Sequence, residues 1–245
     1  MTLLSGIDLA WRSERNGTGI AFGLLQHDQL LVTDVATGLV SLDAVLAKID
    51  RQDSLQGLAI DAPLIIRNAS GQRPCERLIG AHYGARKASC HTSNLRLYPD
   101  ASSVRLSQAL ETRGFAHLGA STGKWQLECY PHPAIIEIFG LKERHAYKKG
   151  RVAGRRAGQR ALARYIAQLA VSPVLPLLLA SGMDDCLSED RIHKLCGAAL
   201  KHNEDLLDAL ICLYVAGLYA KGLRARVFGD TQDGYVYVPD LCCTG

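Results

Sequence analysis

Two short apolar runs each end in an aspartate, Leu3-Leu4-Ser5-Gly6-Ile7-Asp8 and Leu58-Ala59-Ile60-Asp61. Brief aliphatic runs of this kind read as buried strands. A strand that ends in a carboxylate presents it at the sheet edge, where loops open and ligands bind. A further pair, Asp205 and Asp208, opens an apolar helical stretch far downstream, and residues three apart share a helix face. Acids gathered at one place repel one another unless a cation neutralises them. The chain is therefore expected to fold as an α/β sheet whose carboxylate edge is crossed by a helix, with a divalent-metal site where they meet.

The remaining pattern supplies the order of elements. Residues 19–25 and 29–35 read as two more strands, the first reached through the turn dipeptide Asn16-Gly17. With the first strand they make an antiparallel meander. Ser41 is placed to cap a helix with Leu42, Val45, Leu46 and Ile49 on one face, and residues 58–61 return parallel to the first strand. The order is β-β-β-α-β. Residues 125–130 give a fifth strand, followed by a short helix over 133–139. Helices are also expected over 74–83, 102–113 and 154–169, with one or two more across 173–201. The last long helix should run from about 203 to 221, and a hairpin closes the chain around Asp233-Gly234. No repeat or linker divides it. The reading is one domain over residues 1–245, a mixed five-stranded sheet with a mostly helical or loop insertion at about 67–124.

Composition narrows the class. Of 245 residues, 48% are hydrophobic, which suits a globular chain and argues against extensive disorder. No apolar stretch approaches the roughly 20 residues of a membrane helix, and the start does not read as a signal peptide. A soluble, cytoplasmic protein with no membrane partner is expected. The eight cysteines mostly lie in apolar segments, as reduced cysteines do. A zinc site from Cys75, His82, Cys90 and His91 matches no finger or ribbon spacing, and Cys242-Cys243 at the tail has no evident role. The net charge of +4 diagnoses nothing, but residues 142–164 hold nine basic side chains and one acid, Glu143. Such a block beside an acidic site would suit a polyanion, although a charge run is as often a solvated helix face.

Several segments together resemble one family. Gly6-Ile7-Asp8, Ile60-Asp61-Ala62-Pro63, Arg73-Pro74-Cys75-Glu76, Glu128-Cys129-Tyr130-Pro131-His132, Tyr147-Lys148-Lys149-Gly150 and Asp205-Leu206-Leu207-Asp208-Ala209 are similar to the DUF429 family, predicted nucleases of ribonuclease H-like fold. The last segment also looks like the final acidic pair of Holliday-junction resolvases of that fold. The resemblance implies Asp8, Asp61 and Asp208 as ligands of Mg²⁺ or Mn²⁺, with Asp205 and Glu128 completing the catalytic set. It implies phosphodiester hydrolysis in DNA or RNA. The ribonuclease H arrangement also places an acid on the helix after strand three, which has no convincing match here, since Asp43 falls too early.

Lys148, Lys149 and Arg151 are candidate phosphate contacts, as are Arg73 and Arg86 from the insertion, with Arg77 and Lys87 beside them. His132 could shuttle protons or contact phosphate, although a structural histidine is the commoner outcome. His202 could cap the acidic helix or lie near the metals. Aromatic residues, at 6%, offer few stacking platforms, so no base-reading module is legible. Two other readings compete. An actin-like phosphotransferase needs a glycine- and hydroxyl-containing turn after the first aspartate, and Leu9-Ala10-Trp11-Arg12 has neither. A non-catalytic metal- or nucleic-acid-binding module on the same fold would look the same in sequence.

Overall fold

A computed structural model describes residues 1–11 and 16–241; Arg12 and the Cys242-Cys243 pair lie outside the described residues. Three strands, β1 (Thr2–Asp8), β2 (Thr18–Gln26) and β3 (Gln29–Leu39), form the expected meander. Helix α1 (Leu42–Asp50) follows, its start capped by the Ser41 hydroxyl, which accepts from the Ala44 N–H. Strand β4 (Leu55–Asp61) then runs parallel to β1. The insertion holds α2 (Pro74–Tyr83), α3 (Ser102–Thr112) and a short strand β5 (Ala116–His117). After β6 (Trp125–Glu128) come α4 (Pro131–Phe139) and α5 (Val152–Gln168), then β7 (Leu177–Leu179), α6 (Glu189–Lys194), α7 (Gly197–Ala220) and the hairpin β8 (Ala225–Asp230) and β9 (Gly234–Pro239).

Among the described residues the main sheet has seven strands, in the order β5-β6-β4-β1-β2-β3-β7, not five. Both additions are very short edge strands, which periodicity cannot reveal. One, β5, comes from the insertion, so that segment is not purely helix and loop. The other, β7, lies in the stretch read as helical, where Leu177-Leu178-Leu179 pairs parallel with β3.

The sheet separates two cores. Helix α7 packs on one face, over Leu4, Ala21, Ala59 and Leu127. Helices α1 and α3 pack on the other, over Ile7, Ile20, Leu58 and Ile60. This is the alternation of a strand seen from both sides. Every residue of α7 from Leu206 to Leu218 is buried, which explains why that segment reads apolar nearly all round.

Two glycines set how closely α7 approaches. A Cβ on Gly6 would stand 2.0 Å from the Leu213 nitrogen and 2.2 Å from the Ala209 oxygen, and one on Gly19 would stand 2.4 Å from the Asp205 oxygen. Gly19 is the β2 partner of Asp8. The helix backbone therefore lies directly on β1, which carries the aspartate, and on β2 beside it, bringing its own acids down to the level of Asp8. The long helix begins at Gly197 rather than near 203. Asp205 is consequently well inside the helix and owes nothing to a first-turn dipole.

Candidate functional site

Parallel pairing of β1 with β4 puts Asp8 directly beside Asp61 at the last position of both strands. Asp208 descends from α7 onto the same spot, and the three residues each offer an oxygen within 4.8 Å of the others. Asp8 and Asp61 are partly exposed at the floor of a cleft of about 310 Å³, whereas Asp208 is fully buried. Asp205, on the same face of α7, is close enough to Asp8 for the two carboxyls to share a hydrogen bond.

Basic side chains reach into this cluster. Lys148 Nζ lies 2.7 Å from Asp208 Oδ2 and 3.9 Å from Asp61 Oδ2. Lys201 Nζ lies 2.5 Å from Asp205 Oδ1 and 2.9 Å from Glu204 Oε1, and Arg155 meets the other Glu204 oxygen at 3.3 Å. Tyr147 donates its hydroxyl to Asp208 Oδ1 at 2.5 Å. Five carboxylates thus face three cations and leave two negative charges uncompensated. Asp205 Oδ2 and Asp208 Oδ2 are buried with no hydrogen-bond donor; for the latter, Lys148 is an ion-pair neighbour outside hydrogen-bonding geometry. Burial, with the neighbouring carboxylates, pushes the Asp8 carboxyl well above its ordinary range, and burial raises that of Asp61 to about 7. Carboxyls this reluctant to ionise mark a site that lacks positive charge. An all-oxygen donor set with a deficit of two charges fits a hard divalent cation.

The loop before α5 delivers Tyr147 and Lys148. His145 Nε2 donates to the Gly158 oxygen at 2.8 Å, and the His145 ring stacks on Tyr147 with centroids 5.8 Å apart. A Cβ on Gly158 would come within 2.1 Å of the Ala146 oxygen. The loop therefore rests directly on the helix backbone, which fixes where Lys148 enters.

Glu128 does not join the cluster. Its β4 partner is Ile60, not Asp61, and paired residues on neighbouring strands point to the same face. Its side chain therefore points to the face opposite α7. There it accepts from Arg73 Nη2 at 2.6 Å, Arg73 Nη1 at 2.9 Å and the Leu64 N–H at 2.9 Å. On the α7 face its neighbour Cys129 is bridged to Tyr237, and its Sγ lies 3.5 Å from Cys212 Sγ.

The other expected contacts divide cleanly. Arg73 is 2% exposed and also bonds Glu76 and the Ile65 oxygen, so it ties the insertion to the sheet and does not line the cleft. Glu76 in turn accepts from the Ser93 hydroxyl. Arg86 is held by Glu137 and the Leu141 and Lys142 oxygens. Arg151 occupies the residue before α5, with no side-chain capping bond, and does not line the cleft. Lys148, Lys149 and His132 do line it, together with Arg144 and His91. His132 is 7% exposed with Nδ1 unpartnered, and burial, reinforced by the nearby cations, keeps the ring neutral. Asp43 sits in the first turn of α1, on the sheet face away from α7. His202 packs against Gly38 rather than capping the helix. Cys75, His82, Cys90 and His91 form no metal-holding group among the described residues. The sequence reading missed Lys201, Glu204 and Tyr147. The i,i+4 spacing of Lys201 and Asp205 was the available signal for the first.

A sequence model described as a protein of unknown function, DUF429, matches residues 6–233. The chain belongs to this family. All six segments that carried the resemblance lie inside the matched span of DUF429, and five of them line the cleft or its floor. Neither a curated protein nor a solved structure matches the chain.

Proposed function

We propose that this DUF429 protein is a divalent-metal-dependent nuclease of ribonuclease H-like fold, with Asp8, Asp61 and Asp208 as the metal ligands. One observation carries the reading: three carboxylates from two parallel strands and a crossing helix converge within 4.8 Å at the floor of a cleft walled by cations. The meander β1–β3, continued by parallel β4 and β6, supports the fold assignment. Oxygen ligands and the two-charge deficit favour Mg²⁺ or Mn²⁺. A bound ion would polarise a phosphate oxygen and lower the pKa of water. Asp8, Asp61 and Asp208 would hold the ion, while Tyr147 fixes the orientation of Asp208. Arg144 and Lys149 would neutralise the incoming phosphate, and His132, held neutral by burial and the nearby cations, lines the cleft beside them.

The ion pairs of Lys148 and Lys201 favour a second reading, a partly self-neutralised network in a binding module without turnover. Labelled DNA and RNA substrates incubated with Mg²⁺ or Mn²⁺ separate the two. Wild type should cleave and Asp8→Asn should not. Tight Mn²⁺ binding without cleavage of any polymer would favour the binding module.

A further inference from the structure

Much of the long basic run is already paired within the protein. Arg160 and Arg164 on α5 both pair with Glu189 of α6, at 3.1 and 3.3 Å. Arg155 pairs with Glu204, and Arg156 donates to the Leu195 oxygen at 2.5 Å. These side chains staple α5 to α6 and α7. Lys87 is likewise paired with Glu143 at 2.6 Å. In the cleft, Lys148 and Lys201 are held by the acids. Of the cleft-lining lysines and arginines, that leaves Arg144 and Lys149, which have no acidic partner among the described residues. Two aromatic side chains, Trp11 and Tyr130, line the same cleft and are half-buried. Trp11 is braced edge-on by Tyr98, with centroids 4.6 Å apart. The volume of about 310 Å³ is that of one small-molecule subsite.

We propose that the cleft takes a short single-stranded stretch of nucleic acid, with a base stacked on Trp11 or Tyr130 and two adjacent phosphates on Arg144 and Lys149. A duplex lying along α5 would have to compete with Glu189 and Glu204 for its arginines. This rests on the nuclease reading and specifies its substrate. Base stacking tolerates any sequence because every base has a π-face, so little sequence preference is expected.

The test is equilibrium binding with Ca²⁺ replacing Mg²⁺, using a fluorescent single-stranded tetramer, a single-stranded 20-mer and a 20-base-pair duplex, each as DNA and RNA. The two single strands should bind within about threefold of each other per site, and the duplex at least about tenfold more weakly. Two phosphate contacts predict a slope of about −1.4 for log affinity against log salt. Arg144→Ala and Lys149→Ala should each flatten it by about 0.7, and Trp11→Ala should weaken binding about tenfold. Arg160→Ala and Arg164→Ala should leave affinity unchanged. Duplex binding as tight as single-strand binding, with a slope of about −5 or steeper, would overturn the proposal and leave the nuclease reading standing. Absence of binding to every probe, with no cleavage of any polymer, would overturn both.

Discussion

Replacing Asp61 by asparagine should stabilise the metal-free protein at alkaline pH. The carboxyl is raised from 3.8 to about 7 in the folded chain, chiefly by burial, with Lys148 opposing the shift and Asp208 adding to it. Folded protein therefore binds this proton more tightly than unfolded protein. Stability from this group is complete below the unfolded value near 4 and is lost as pH rises through about 7. A displacement of that size corresponds to roughly 4 kcal/mol between the two protonation states. Asparagine keeps the shape and has no charge to desolvate, while Lys148 retains Asp208 at 2.7 Å. Urea denaturation of wild type and Asp61→Asn in EDTA, at pH 5 and pH 8, reads the contribution of Asp61 together with its coupling to Asp8 and Lys148, while groups remote from the cluster cancel in the difference. Because pH 5 already lies above the unfolded value, the variant should gain about 2–3 kcal/mol relative to wild type between those two pH values. Excess Mn²⁺ should reverse the order at pH 8 by binding the folded wild type. A difference that does not change with pH, or a variant less stable than wild type at pH 8 in EDTA, would refute the account of the cluster as charge-deficient.

Lys148→Met removes a cation that contends with a metal for Asp208 and Asp61; isothermal titration should show Mn²⁺ binding at least about tenfold tighter, while the metal-free variant melts at lower temperature than wild type. Arg73→Ala strands Glu128 and Glu76 in the interior without their partner and should cost about 3–5 kcal/mol, measured by urea denaturation; a loss under about 1 kcal/mol would show that the pairing is dispensable. Gly6→Ala drives a methyl into the α7 backbone and should cost about 1–3 kcal/mol or more, together with weakened Mn²⁺ binding because Asp208 is lifted away from Asp8. Normal Mn²⁺ affinity in a folded Gly6→Ala protein would show that the close approach of α7 does not set the site.

The local pattern determined the meander, the parallel return to β4 and the two strand-terminal aspartates, because period-two alternation and turn residues act over a few positions. It also determined that Asp205 and Asp208 share a helix face, since that follows from helical geometry alone. Glu128 shows where such reasoning stops. It stands at the end of its strand just as Asp61 does, yet a register one residue different points it to the other side of the sheet, where Arg73 from the insertion awaits it. Pairing register is a property of two strands, and neither strand carries it alone. Lys148 depends in the same way on Gly158 allowing a loop to lie on a helix distant from both strands. The arginines of α5 looked like a surface for polyanions because their acidic partners, Glu189 and Glu204, come from later helices. Charge along a segment is written in the sequence, but whether that charge is already neutralised depends on which elements are packed beside it, and only the tertiary structure decides that.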